Sequence, residues 1–177
     1  MRGNITRAQI KLLEAISEPS CDFKPPRIPL DEDLEEIDTM ILELVGDAAI
    51  HLSVVKALHN MYPEESADIF MHLRSAVNSN KTFFFLMKKA GLCYEPTTKY
   101  SKPLKYVSNG FEIRIGIFIL QEGLPSLCSW VEKAFGPLIR ACIPDMLQIK
   151  ADAASAANPT YIKKRSRDDA KTSEDEL

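Results

Sequence analysis

Apolar residues recur at helical spacing along most of the chain, and this pattern predicts a series of helices. The first carries Ile10, Leu13 and Ile16 on one face and ends before Pro19. The longest has apolar positions on a wide face, which is typical of a central buried helix. The predicted helices are residues 5–17, 34–60, 67–79, 80–90, 107–120 and 125–135.

Residues 107–120 fit two patterns. Isoleucines alternate at positions 113, 115, 117 and 119, as they would in a strand. No other strand pattern lies nearby, and an isolated strand has no partner for its backbone hydrogen bonds. We therefore expect a buried helix here and assign the chain to the all-α class, as a helical bundle.

Breaks and caps divide the chain into three parts. A Pro-rich connector follows the first helix, Asp31 or Asp33 caps the long helix, and Ser66 caps the next one. Helix breaks are expected at Met61-Tyr62-Pro63 and at Gly91. The predicted parts are residues 1–30, an N-terminal helix and connector, residues 31–149, the main domain, and residues 150–177, a disordered charged tail.

Composition limits the class of protein. The 177 residues are 45% hydrophobic, enough to bury one core. The four cysteines form no CxxC pair, which argues against a zinc site or a disulfide framework and favours a reducing, intracellular compartment. No apolar run is long enough to cross a membrane. Residues 1–16 show a weak organelle-targeting pattern, which Glu14 interrupts, and residues 163–167 form a basic run that could be a nuclear address. The location therefore stays open between mitochondrial, nuclear and cytoplasmic.

The net charge of −3 is unevenly distributed. Eight acids lie between residues 31 and 47 with no Lys or Arg among them, whereas bases outnumber acids between Arg74 and Arg114. An acidic pocket with a basic rim suits a metal-dependent enzyme acting on a polyanion. A solvated helix face with scattered lysines explains the same pattern equally well.

Glu43 and Asp47 form the most informative acidic pair. They lie one helical turn apart on the long helix, with Gly46 leaving space beside them. Two carboxylates held close together repel unless a cation, a base or a shared proton offsets them. Oxygen ligands suit Mg²⁺, so the pair is a candidate for phosphoryl chemistry. The alternative is that one or both acids point into solvent.

The chain resembles the ribonuclease III family over residues 34–135. The family signature is matched by Glu43-Leu44-Val45-Gly46-Asp47-Ala48. Three further blocks follow in the family's order: Met61-Tyr62-Pro63, the segment 73–82 with Ala90-Gly91-Leu92 after it, and the segment 109–120, with its Glu, its Gly and its aromatic-leucine end. The resemblance implies the ribonuclease III endonuclease domain fold and cleavage of structured or double-stranded RNA.

The resemblance also implies a set of site residues. Glu43, Asp47 and Glu112 match the family's metal ligands for Mg²⁺, or alternatively Mn²⁺, and Asn109 takes the fourth catalytic position, where most members have Asp. An Asn adds no charge, so the ion should bind more weakly. Two further acids used by many members fall on Met40 and about Ala67, although Glu64 and Glu65 lie close by.

Partner contacts are implied in the same way. Family members dimerise through the signature helix, so Met40, Leu44 and Val45 are candidate interface residues, with an intrachain core as the alternative. The partner would be a second copy or a ribonuclease III-like paralogue. Lys99, Lys102 and Lys105 would contact RNA phosphates. His51 lies one turn after Asp47 and would support that acid or serve only in packing.

Three functions are compatible with these observations. The first is a dimeric endoribonuclease, similar to the Mini-ribonuclease III type, which lacks a double-stranded-RNA-binding domain and tolerates a non-acid at the fourth position. The second is a degenerate, noncatalytic subunit of an RNA-processing, RNA-editing or ribosomal particle. The third, a helical scaffold with no RNA role, is disfavoured by the four matching blocks.

Overall fold

The described part of the computed structural model, residues 2–28, 38–93 and 103–157, is all-α. This confirms the predicted class, including a helix rather than a strand over residues 107–120. The helices are α1 (Arg2–Ser17), α2 (Thr39–Met61), α3 (Ala67–Val77), α4 (Asn80–Lys89) and α5 (Pro103–Ala157). None of the helices in these ranges is both long and apolar enough to cross a membrane.

Helix α2 begins later than its apolar pattern predicts. Asp38 is its N-cap, and the Asp38 carboxylate accepts a hydrogen bond of 2.8 Å from the backbone N–H of Met40. The expected caps Asp31 and Asp33 are therefore wrong, and both lie outside the described residues. The predicted break is confirmed, because α2 ends at Met61 and Tyr62 is its C-cap.

The shorter helices follow the predicted order. Ser66 is the N-cap residue of α3 but makes no side-chain capping bond, whereas the Ser79 hydroxyl accepts from the Thr82 backbone N–H at the start of α4. Gly91, with a φ of 72°, ends α4 as predicted. A Gln9 side chain from α1 bonds both Ser79 and Thr82, which fixes α1 against this turn.

Helix α5 joins and extends the last two predicted helices. Gly123 has a φ of 78° and a ψ of 168°, so it divides α5 into a first arm, residues 103–122, and a second arm, residues 124–157. Pro137 and Pro144 do not end the second arm. Each proline lacks a backbone N–H, so the carbonyl one turn before it has no intrahelical partner. Both prolines lie on the exposed side of the arm, where these carbonyls can bond to water. The arm reaches Ala157, beyond the predicted start of the tail at residue 150, and residues 158–177 are not described.

An aromatic cluster ties the Pro-rich connector to both arms of α5. Phe23 is buried and its ring lies 6.5 Å from Phe111 of the first arm and 6.0 Å from Phe135 of the second. The connector backbone accepts hydrogen bonds from Trp130, at Lys24, and from Arg114, at Pro26. These contacts hold the first arm in place from the side that carries Phe111.

The first arm of α5 crosses α2 at a backbone contact made by two glycines. A Cβ atom on Gly46 would overlap the carbonyl oxygen of Glu112 and lie 2.8 Å from the backbone nitrogen of Gly116. A Cβ atom on Gly116 would in turn overlap the carbonyl oxygen of Leu42. The helices can approach this closely only because neither position carries a side chain.

Replacing Gly46 by Ala should therefore destabilise the protein. The methyl group meets backbone on the opposite helix, which cannot rotate away, and we expect a loss of about 3 kcal/mol in the free energy of unfolding. At this chain length that corresponds to a melting temperature lower by roughly 6–12 °C. Differential scanning calorimetry measures this shift.

Gly110→Ala is the matched control. Gly110 lies in the same first arm, and a Cβ atom there meets nothing within 4 Å. Its replacement should be neutral or stabilise the helix by up to about 1 kcal/mol, since Ala is the better helix former. Equal effects of the two substitutions would contradict a close helix contact at Gly46.

Candidate functional site

The glycine contact places three predicted site acids around one concavity. Glu43 and Asp47 come from α2 and Glu112 from the first arm of α5. All three line a concavity of about 550 Å³, the rest of which is lined by Asp38, Met40, Ile41 and Leu44. The two helices therefore bring the signature acids and the distant Glu112 to the lining of one concavity.

Glu112 is the acid most affected by its surroundings. It is only 8% exposed, and its burial, followed by the nearby charges of Asp47 and Glu43, raises the pKa of its carboxyl group from 4.5 to about 7. Lys105 acts in the opposite direction but does not outweigh them. Near neutral pH the carboxyl group is thus divided between its protonated and ionised forms.

Glu43 is held by Asn109. The side-chain amide nitrogen of Asn109 donates a hydrogen bond of 2.9 Å to the Oε2 atom of Glu43. Both residues also line an adjoining concavity of about 460 Å³, which is bordered by Tyr106, Arg114 and residues from the end of α4. Asn109 therefore lies beside the acids and contacts one of them directly, although it is not an acid itself.

Asp47 and His51 form a pair on α2. The Nε2 atom of His51 lies 3.4 Å from the Oδ1 atom of Asp47, and both side chains are partly exposed. His51 therefore lies beside one of the predicted site acids. The Asp47 carboxylate reaches solvent and lines the concavity, so a ligand in the concavity can reach it.

The donor set has the chemistry of a site for a hard divalent cation. Three carboxylates face one concavity, and two of them raise the pKa of the third, so a cation between them would relieve their mutual repulsion. In the ranges that the structure describes, however, no three acidic, histidine or cysteine side chains lie close enough together to hold one ion. Coordination by all three acids would require a change in their side-chain positions.

The remaining predicted residues are the lysines expected to contact RNA and the apolar residues expected at a dimer interface. Lys99 and Lys102 lie outside the described residues, while Lys105 is exposed on the first arm and acts electrostatically on Glu112. Met40 and Leu44 are 76% and 71% exposed, so the alternative of an intrachain core is wrong for both. Val45 is half-buried.

Two site features were missed in the sequence. Asp38 lines the concavity two residues before Met40, where the family resemblance expected an acid and found none. Gly116, which forms half of the helix contact, was noted only as part of a matching block. Glu65, considered as a replacement acid, instead pairs with Lys150 at 3.3 Å and does not line the concavity.

Comparison with known proteins gives one distant relative. The chain is similar to a protein named Ribonuclease 3 from Desulfotalea psychrophila, with 30% identity over 121 residues. The match covers 64% of this chain and 49% of that protein, so the chain spans about half the length of this relative. No protein-family model and no solved structure matches the chain. The similarity supports the ribonuclease III resemblance without distinguishing the Mini-ribonuclease III type.

The raised pKa of Glu112 predicts a specific pH dependence. An acid whose pKa is higher in the folded than in the unfolded state adds stability below the unfolded value, and this is lost as the pH rises through the folded value. In a chelator, the protein should therefore lose stability between pH 4.5 and about pH 7 because of Glu112.

Glu112→Gln should remove this loss, since the amide cannot ionise, and should be more stable than the natural protein above pH 7. Melting temperatures across the pH range measure the effect. Glu122→Gln, an exposed acid on the same arm, is the control and should keep the natural slope. An unchanged slope in Glu112→Gln would show that this carboxyl group ionises normally.

Proposed function

We propose that the chain is a divalent-metal-dependent endoribonuclease of the ribonuclease III type, which hydrolyses phosphodiester bonds in structured or double-stranded RNA. The main support is the arrangement of Glu43, Asp47 and Glu112 around one concavity, on the residues that match the family signature. The sequence similarity to a Ribonuclease 3 adds further support. Four cysteine thiols without disulfide partners support a reducing, intracellular compartment as part of this proposal.

In this proposal Glu43, Asp47 and Glu112 would hold Mg²⁺, or Mn²⁺ in its place. The bound ion would supply an activated water and offset charge on the leaving oxygen. Asn109 fixes the orientation of Glu43 by its hydrogen bond. Lys105, exposed beside the acids, attracts the RNA backbone toward them, and Lys99 and Lys102 are proposed to extend this basic rim.

Cleavage of a double-stranded RNA by the purified protein tests the enzymatic proposal. We expect cleavage that requires Mg²⁺ or Mn²⁺ and that falls at least about 100-fold in Asp47→Asn and in Glu112→Gln, since each loses a charge that would hold the ion. Glu122→Gln is the control and should cleave normally. Cleavage that persists in a chelator, or in both site variants, would contradict the proposal.

A second function is favoured by two observations. The amide of Asn109 stands where most family members have an acid, and no three ligand side chains converge in the described part of the chain. A noncatalytic subunit that binds RNA or a ribonuclease III-like paralogue would show such a reduced site. Stable binding of double-stranded RNA without cleavage at any Mg²⁺ or Mn²⁺ concentration would favour this reading.

We also propose that the chain dimerises through α2, with itself or with a paralogue. Exposed apolar side chains line one face of this helix, where Met40 and Leu44 flank the acidic concavity and Leu52 is 53% exposed. Such a continuous apolar face on a monomer is unfavourable in water. A twofold contact there would place two acidic sites on one assembly, as a duplex substrate requires.

The double substitution Met40→Ser and Leu44→Ser should shift the purified protein from dimer to monomer. Sedimentation velocity measures this change, and the melting temperature shows whether the monomer is still folded. Ile10→Ser is the matched control, because Ile10 is 50% exposed on α1 and lies away from this face. If the natural protein is monomeric at high concentration, the homodimer is wrong and a paralogous partner is required.

A further inference from the structure

In the hydrogen bond between Asn109 and Glu43, Asn109 must be the donor and Glu43 the acceptor. A carboxylate accepts hydrogen bonds and cannot donate them, so the –NH₂ end of the Asn109 amide must face Glu43. The bond is 2.9 Å long and joins the first arm of α5 to α2, 66 residues apart in the chain. It is charge-assisted, which makes it stronger than a bond between two neutral groups.

This bond lies beside a cluster of carboxylates. Glu43, Asp47 and Glu112 face one concavity, and Asp38 lies on its edge. Arg114 lines the adjoining concavity, but its guanidinium group donates to the carbonyl oxygen of Pro26 in the connector. An Asp at position 109 would put a further carboxylate against Glu43 and would replace an attractive contact by a repulsive one.

We propose that Asn109 is a positioning residue that keeps the acidic site assembled when no cation is bound, and that it does so at the expense of affinity for divalent cations. The inference rests on the proposed metal-binding role of the site, but not on RNA cleavage. Asn109 orients Glu43 through a neutral donor, so the Glu43 carboxylate is held against the first arm of α5 without a bound ion. An acid at the same position would make the assembled site depend on the ion.

Asn109→Asp tests this role by adding one negative charge with almost no change in shape. In a chelator, this variant should melt roughly 4–8 °C below the natural protein. Saturating Mg²⁺ should restore most of that loss, whereas the natural protein should respond less. Calorimetric titration with Mn²⁺ should give a dissociation constant lower by roughly tenfold or more, because an acid replaces an amide.

Two further variants separate the charge from the hydrogen bond. Asn109→Ala removes the bond without adding a charge, so it should melt roughly 2–4 °C lower in a chelator and should not bind Mn²⁺ more tightly. Asn80→Asp makes the same charge change at the exposed start of α4. Asn80 is distant in the sequence from Glu43, Asp47 and Glu112. It should leave both the melting temperature and the Mn²⁺ affinity close to their natural values.

The outcomes are distinguishable from those of the cleavage test. If Asn109→Asp is as stable in a chelator as the natural protein and binds Mn²⁺ no more tightly, the inference is overturned, whether or not RNA is cleaved. If that variant does not fold under any condition, Asn109→Ala decides, and natural stability in that variant overturns the inference. A cation-dependent Asn109→Asp in a protein that cleaves no RNA supports the inference and contradicts only the enzymatic proposal.

Discussion

The backbone contact between Gly46 and the first arm of α5 is the constraint on which the candidate site depends. Glu112 lies at this contact through its own carbonyl oxygen, and Glu43 and Asp47 flank Gly46 on the opposite helix. Any side chain at Gly46 or Gly116 would push the helices apart and separate the acids. The same contact that completes the packing of α2 on α5 thus determines the distance between the charged groups.

Close packing of the helices has an electrostatic consequence. Glu112 is drawn into a buried position beside two other carboxylates, which raises its pKa to about 7. Two of the acids have polar neighbours: Asn109 donates a hydrogen bond to Glu43, and the Nε2 atom of His51 lies 3.4 Å from Asp47. The site is therefore a cluster of acids in which Glu43 and Asp47 each contact a nitrogen-bearing side chain, while burial and the neighbouring carboxylates raise the pKa of Glu112.

Much of this arrangement could be predicted from the sequence, because it depends on local patterns. Apolar periodicity predicted most of the helices, and the lack of a partner strand predicted the helix over residues 107–120. The family blocks brought Glu43, Asp47, Glu112 and Asn109 into one prediction. Helix limits were less predictable: Asp38 caps α2, where Asp31 or Asp33 was expected, and the second arm continues through Pro137 and Pro144. The limits of these two helices depend on tertiary packing and solvent exposure, which cannot be predicted from local helix propensity.

Pairwise contacts between distant residues could not be predicted from spacing. Nothing in the local pattern shows that Gly116 faces Leu42, or that the Asn109 amide turns toward Glu43. The exposure of Met40 and Leu44 is of the same kind, since their helical spacing suits a core and an interface equally well. These contacts determine the positions and the electrostatic surroundings of the acids, and they form only in the folded chain.

Binding of Mn²⁺ measured by electron paramagnetic resonance is the most direct test of the account, because it reports the ion itself and needs no substrate. We predict saturable binding of a single ion per chain that is lost when Glu43→Gln and Asp47→Asn are combined, and that is retained in Glu122→Gln. Absence of saturable binding, or binding unchanged by the double substitution, would contradict the claim that the contact between α2 and α5 assembles a cation site.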